Sequence, residues 1–348
     1  MRYLYVGILF LLLSHSGVAQ LLGGSATMNF LRLPPGANTQ AMGGLVVATD
    51  QSDLSNSFQN PALLRGVGAP SVHASFMSLP GGTRGYFLSG SPHQKSARFA
   101  SAVSLLYIDH GNAVSTDAGG NVLGSIRPRE WTVQLSASLP YKERWRGGAS
   151  LQFAHSSIGT FRSSALFSNV GIRYEDTASG WIAGAILRHA GFFVRRYHGG
   201  SAQELPTELA FGIWKRLKGS PFSFGGTLQR MQRWQLETDA LFDPGLSPIG
   251  IDNRRSGFVT QFFNHLILSA QVELHPAVKL IGAYNFLRRR ELTWVGESNG
   301  LTGFSIGLQA KWERFHFAYG RSAYQRAQST HQLSIECSLK KNSRGWKR

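Results

Sequence analysis

The chain has 348 residues, and its 36 lysines and arginines against 19 aspartates and glutamates give a formal charge of +17, although only 16% of residues are charged. A single cysteine excludes an intramolecular disulfide and a thiolate metal cluster, and 40 glycines with 11% aromatic residues suit a structure with an apolar outside and a polar inside. So basic a chain could serve nucleic acid, but the export signal described next redirects the charge to anionic lipid headgroups, lipopolysaccharide phosphates or an acidic partner.

Met1 and Arg2 precede an apolar run from Leu4 to Leu13 and the small residues Ser16, Gly17, Val18 and Ala19. That order marks residues 1–19 as a secretory signal, with a cut that leaves Gln20 first. The run is too short to cross a bilayer as a helix, which takes roughly 20 apolar residues. No later stretch approaches that length without charges, and no cysteine follows the signal to carry a lipid anchor. The periplasm, the exterior or the outer membrane is the destination expected.

Residues 20–70 do not read as barrel wall. From Ser71 onward the dominant period is two. Trp131, Val133, Leu135, Ala137 and Leu139 alternate with Thr132, Gln134, Ser136 and Ser138, and Phe304 to Glu313 repeats the pattern most cleanly. Fourteen strand candidates follow, at 71–77, 84–91, 98–108, 126–139, 145–158, 164–175, 181–188, 203–215, 222–236, 264–275, 277–288, 302–313, 314–321 and 331–339. Alternation is poor around Arg98 and Trp181. Cys337 falls on the apolar face of the last strand, as a small hydrophobe.

Tight connections at 140–144, 176–180, 216–221, 275–276 and 313–314 interleave with long ones at 109–125, 237–263 and 289–301. Outer-membrane barrels have short periplasmic turns and longer outer loops. A secreted all-β protein with one buried face has little reason to alternate in this way. The expectation is therefore an all-β fold, a transmembrane antiparallel β-barrel of about 14 strands over 71–339, with a plug-like segment over 20–70 and a basic periplasmic tail over 340–348. Tyr107, Trp131, Trp145, Tyr174, Trp181 and Trp312, near strand ends, are expected in interfacial girdles.

The segment before the first strand carries Asn29, Phe30, Leu31, Arg32, Leu33 and Pro34, then Gln59, Asn60, Pro61, Ala62 and Leu63. It resembles the N-terminal region of the FadL-like outer-membrane barrels with their Asn-Pro-Ala signature, here Asn60, Pro61 and Ala62. More narrowly it is similar to the PorV/PorQ group of the type IX secretion system, the Asn-Phe-Leu-x-Leu-Pro opening favouring the PorQ branch. Residues 285–292, 303–307 and 319–321 add shorter matches. The resemblance is concentrated in 29–64 and 264–339, and the basic tail departs from the usual terminal aromatic. It implies a barrel of about fourteen strands in an attachment complex with PorU, PorV and the surface protein PorZ. There it would hold a partner while cargo is anchored to lipopolysaccharide.

Gly303, Phe304, Ser305, Ile306 and Gly307 match a nucleophile-elbow pattern, but on a strand rather than at the strand-to-helix turn that chemistry requires. The eleven histidines show no metal-ligand spacing, and Asp109 with His110 reads as a pair at a strand end. No catalytic residue, metal ligand or cofactor is expected. Arg195 with Arg196, Arg254 with Arg255, and Arg288, Arg289 and Arg290 fall in or beside outer connections. The last three are candidate anion or partner contacts, because guanidinium forks suit phosphate and carboxylate. The resulting expectation is a non-enzymatic docking barrel of the attachment complex, with a FadL-like channel for hydrophobic molecules as the alternative and a hydrolase a distant third.

Overall fold

The computed structural model describes residues 27–65, 69–92, 99–117, 119–197, 204–234, 236, 257–292, 300–325 and 328–339. The expected secretory signal over 1–19, Gln20, the tail over 340–348, and Arg254 with Arg255 lie outside the described residues. Fourteen strands form the wall: β1 (Ser71–Ser78), β2 (Arg84–Ser91), β3 (Ala100–Asp109), β6 (Arg129–Tyr141), β7 (Trp145–Ile158), β8 (Phe161–Asp176) and β9 (Trp181–Arg195) in its first half. The second half is β10 (Glu208–Arg216), β11 (Phe222–Leu228), β12 (Leu266–His275), β13 (Val278–Asn285), β14 (Phe304–Trp312), β15 (Phe315–Gln325) and β16 (Gln328–Ser338). Every neighbouring pair is antiparallel, and β1 pairs with β16, Ser71 opposite Ser338 and Ser78 opposite His331, so the sheet closes on itself. Two further strands, β4 (Ala113–Thr116) and β5 (Val122–Ile126), form a separate hairpin on the connection between β3 and β6.

Alternation sets which face sees lipid. On β6, Thr132, Gln134, Ser136 and Ser138 are buried toward the lumen while Leu135 and Leu139 are each 56% exposed on the outside. Trp131 and Tyr141 on that strand are ten residues apart, roughly 34 Å along a strand and about 26 Å across the membrane at a tilt near 40°. That is the height of a hydrocarbon band between two aromatic girdles. Tyr141, Trp145 and Tyr174 are in register on β6, β7 and β8, and Trp145 and Tyr174 meet at a tilt of 57° with ring centroids 5.0 Å apart.

All fourteen expected wall strands are present, and the departures have local causes. Alternation is weak on β3 because its inward residues Ala100, Ala102, Leu106 and Ile108 are themselves apolar and pack inside the barrel. On β9 it fails at a bulge, where Arg188 and His189 both turn inward and His189 takes a φ of 55°. The strand continues past the bulge to Arg195. The strand expected over 222–236 stops at Leu228, since Arg230 adopts a φ of 54° and turns the chain. The strand expected over 277–288 stops at Asn285, whose side chain accepts from the Arg288 N–H and caps a helix over Phe286–Glu291. Long loops are not the rule on the outer side either, for β7 and β8 are joined by Gly159 and Thr160 alone.

The N-terminal segment lies in the lumen. It comprises a single turn at Asn29–Arg32, α1 (Ala37–Ala41), α2 (Asn56–Gln59) and a second turn at Pro61–Leu63. α1 packs on β14, β15 and β16, and the Pro61 turn packs on β6, β7 and β8 across the barrel. The plug spans the lumen from wall to wall.

Leu308 is on the outward face of β14, near mid-bilayer by its distance from Trp312. Replacing it with lysine should cost about 2–4 kcal/mol, whereas lysine at Leu139, one outward position from the girdle residue Tyr141, should cost about 0–1 kcal/mol. Reversible urea unfolding in lipid vesicles measures both; equal costs would contradict the assigned depths.

Candidate functional site

The lumen lining is mostly polar, but on the outer half of the β1, β2, β3, β7 and β8 side it is not. Inward residues Met77, Phe87, Leu106, Ile108 and Phe167, with Ala154 and Ala165, build an apolar chamber inside the wall. The chain's own Met28, Phe30, Leu31 and Phe58 fill it, each no more than 4% exposed, and Phe58 meets Phe87 edge to face at 5.4 Å. Burying each such side chain contributes about 1.5–3 kcal/mol. Elsewhere the plug combines polar contacts with smaller apolar clusters, such as Met42, Val46 and Leu63 with Ile182, Trp214 and Ile281, and Leu45 and Val47 with Ile186 and Ile267; here hydrophobic burial dominates.

Those polar contacts sit at four places. The Asn60 carboxamide oxygen accepts from the Ala62 N–H at 3.0 Å and its amide donates to the Val47 carbonyl at 2.9 Å, so one side chain shapes the Pro61 turn and pins the preceding segment. Gly148 and Gly171 face this turn because a Cβ at either would overlap Pro61 or Asn60. On the opposite wall Arg288 donates to the Gly43 carbonyl at 2.9 Å and to Ser305 Oγ at 3.0 Å, stacks on the Tyr324 ring, and is joined by Asn285 Nδ2 on the same carbonyl. Along the seam strand β16, Gln40 donates to Thr330, Ser334 Oγ accepts from the Ala37 N–H, and Gln332 donates to the Pro34 carbonyl.

The fourth place is the periplasmic end of the same seam. His73 Nδ1 on β1 lies 3.3 Å from Asp53 of the plug and 3.4 Å from Glu336 on β16. One imidazole and two carboxylates within 4.8 Å of one another form the donor set that a divalent cation takes. Each carboxylate, however, is already engaged: Asp53 accepts from Ser55, and Glu336 from the Leu54 N–H at 2.8 Å. The cluster works as a latch between plug and seam.

A charged cluster borders the chamber beside the β9 bulge. Arg188 donates from Nε and Nη2 to Oε2 of Glu208 in a pair with almost no exposure, and Glu208 Oε1 accepts from the Arg230 N–H while Arg230 pairs with Glu291. Arg32 of the plug enters the same field; burial and the neighbouring Arg230 lower its guanidinium to about 10, which leaves it charged at neutral pH. At the bulge, Asn169 replaces a missing ladder bond by accepting from the His189 N–H at 2.6 Å.

Asn60, Pro61 and Ala62 are thus at the heart of the plug. Arg288, Arg289 and Arg290 follow the end of β13 on the helix Phe286–Glu291, and they diverge. Arg288 turns inward and is committed to the plug, so it is withdrawn as an external anion contact; Arg289 donates to the Gly300 carbonyl. Ser305 of the elbow-like pattern bonds to Arg288 and Ser322, with no histidine within hydrogen-bond reach among the described residues. Asp109 pairs with Arg127, and His110 with Glu130. The chamber and the seam latch were missed from sequence. Their signal was present in the apolar inward residues of β3 and in His73 and Glu336 on polar faces of the first and last strands.

A closed barrel of fourteen antiparallel strands, apolar outside and plugged by its own N-terminal segment, is an outer-membrane protein. The fold is shared with two mutant forms of TodX, described as a monoaromatic hydrocarbon channel, at TM-scores of 0.50 and 0.51; each comparison has 12% identity and covers 86% of this chain and 97% of that one. A FadL homologue of Pseudomonas aeruginosa is also similar, at a TM-score of 0.45 and 10% identity over 87% of this chain and 98% of that one. No family model matches the chain, and no curated protein matches it. The likeness is one of fold, that of the FadL-like channels.

Gly148→Val should leave the barrel folded while unseating the Pro61 turn. Wild-type protein should resist trypsin at the half-buried Arg32 inside the lumen, and the variant should be cut there, with heat-modifiable migration of the barrel preserved. Identical digestion of the two would show that the close approach at Gly148 does not hold the plug.

Proposed function

We propose that the protein is a non-enzymatic outer-membrane channel for small apolar molecules, in which the N-terminal plug occupies the binding chamber until a substrate takes its place. The observation that carries this reading is the apolar chamber itself. A barrel that only holds a partner at the surface needs a polar, satisfied interior, whereas this lumen places Met77, Phe87, Leu106, Ile108 and Phe167 together and covers them with Met28, Phe30 and Leu31. Side chains of that size leave room, when displaced, for a ligand on the scale of one aromatic ring. The fold shared with a monoaromatic hydrocarbon channel supports the same substrate class.

The outer approach is also apolar. The helix α3 (Phe258–His265) exposes Phe258 and Val259 at 71% and 66%, and Phe258 lies 5.1 Å from the Trp234 ring. An aromatic chain continues through Phe263, Phe286, Tyr284 and Phe304 to the lipid-facing wall. This surface is suited to gather apolar molecules at the barrel's outer rim.

The docking reading, in which the barrel holds PorZ alongside PorU and PorV, rests on the resemblance of residues 29–34 to the PorQ branch. In this fold Phe30 and Leu31 fill the chamber, so their presence is explained by packing without a partner.

Flux of a single-ring hydrocarbon into vesicles holding the purified barrel tests the channel. The double substitution Phe30→Ala and Leu31→Ala should raise flux severalfold, and Phe87→Asn should lower it. Flux that neither changes would remove the chamber from the route. Recovery of a stable surface protein from native outer membranes, with no hydrocarbon flux, would favour docking.

A further inference from the structure

The outward face of the barrel carries a second feature, on the side of the β1–β16 seam. A groove of about 730 Å³ crosses the lipid-facing wall there. Its floor is made by small residues, Ala74 and Ala310, and its sides by Phe76, Tyr86, Leu333 and Phe317. A lipid-facing wall of uniform large side chains would be smooth; this one has a trough.

Directly beyond the groove toward the outer end runs a row of polar residues in mutual register. Ile306 on β14 opposes Arg321 on β15, which opposes His331 on β16, then Ser78 on β1, Arg84 on β2, Asp109 on β3 and Arg129 on β6. Each residue from Arg321 to Arg129 stands two positions further out than a residue of the row below it: Arg321 beyond Tyr319, His331 beyond Leu333, Arg84 beyond Tyr86, and Arg129 beyond Trp131. Alternation therefore turns them to the outside, where Arg84, Arg129, Arg321 and His331 are exposed. Because strands tilt, the row runs diagonally up the barrel and follows the groove's upper edge. The single carboxylate in it, Asp109, is taken by Arg127. Arg84 has no acidic partner among the described residues, and Arg321 donates only to Ser329 Oγ.

Uncompensated guanidinium groups over an apolar trough at the outer-leaflet interface are complementary to one kind of molecule. We infer that this face seats a phosphate-bearing lipid of the outer leaflet, with an acyl chain in the groove and the phosphate held by Arg84 and Arg321. Neighbouring strands are about 4.8 Å apart, so Arg84 and Arg321, three strands apart, stand roughly 14 Å from each other at the backbone. Their long side chains can converge on one phosphate or hold two. Guanidinium binds such oxygens in pairs, and below the interface each arginine's methylene stem can lie along the tyrosine beneath it. Between them stand the small Ser78 and His331, whose Nδ1 is engaged with the Tyr319 hydroxyl at 2.8 Å.

Native mass spectrometry of the full barrel in nanodiscs of neutral phosphatidylcholine, titrated with lipid A, tests the inference. Wild-type protein should retain lipid A in preference to the neutral lipid, less so as salt rises. The double substitution Arg84→Gln and Arg321→Gln should lower retention at least about tenfold, while Lys218→Gln in a periplasmic turn should not. Ala74→Trp, which fills the groove and leaves the arginines intact, should lower it as well; if that variant does not fold by heat-modifiable migration, Ala310→Trp replaces it. Inorganic phosphate at the same concentration should not compete. Wild-type retention by the arginine variant overturns the inference, as does an unaffected folded groove variant or displacement of lipid A by free phosphate.

Discussion

A polypeptide in hydrocarbon has no water to satisfy its backbone, and nearly everything in this molecule follows from that deprivation. Closing β1 on β16 pairs the two edges that an open sheet would leave bare. Closure forces side chains into two populations, and the inner one, serine, glutamine, asparagine and arginine, then needs partners of its own. A fourteen-stranded lumen is too wide for these groups to reach across. The plug supplies what they lack: Gln134 donates to the Phe58 carbonyl, Ser138 to that of Leu64, and Arg173 to that of Thr49. The N-terminal segment is the counterpart that makes a polar interior affordable.

Apolar clusters interrupt this logic in several places, and the chamber of Met77, Phe87, Leu106, Ile108 and Phe167, the one that takes the plug's first residues, is where function is best sought. Polar contacts are directional and fix the plug's position, whereas the contacts of Met28, Phe30 and Leu31 are non-directional and could be replaced by any apolar body of similar size. The two kinds of attachment divide the segment into a part that stays and a part that can yield. The residues from Asn38 to Arg65 are held by hydrogen bonds and ion pairs to several strands, including Arg65 to Glu175, in addition to apolar packing. Those before Leu33 are held chiefly by hydrophobic burial, with a few local bonds and the Thr27 N–H donating to the Glu204 carbonyl.

The architecture was legible in the sequence because its dominant signal, a period of two, is the same physical fact that divides lipid from lumen. Strand count and the assignment of faces descend from it, while sidedness came from connection lengths and holds less strictly, since β7 and β8 meet in a two-residue outer turn. Three features were not local. The bulge on β9 shows in sequence only as failed alternation, since Arg188 and His189 share a face through a backbone φ that no residue type there announces. The turn at Arg230 is the same case. Arg288 illustrates the third: in sequence it is one of three adjacent arginines, and only the helix capped by Asn285 separates it from Arg289 and sends it to Gly43. The hairpin of β4 and β5 was visible in outline, with Asp117 accepting from the Gly119 and Asn121 N–H groups at its turn, but was hidden by the expectation of a plain loop.

The plug's anchorage to the seam bears on how such a molecule can be made. Gln40, Ala37, Pro34 and Asp53 reach strands from the two ends of the barrel, β16 and β1, so the first segment of the chain is stitched to the last. A finished cylinder would admit these contacts only by threading a folded segment through its mouth, past the charged groups at either end. The simpler order has the N-terminal segment already lying against the curling sheet when β16 arrives, with the Asp53, His73 and Glu336 contact completed as the two edges meet. The plug is then a mandrel around which the wall is wound, and the final strand pairing is the event that traps it.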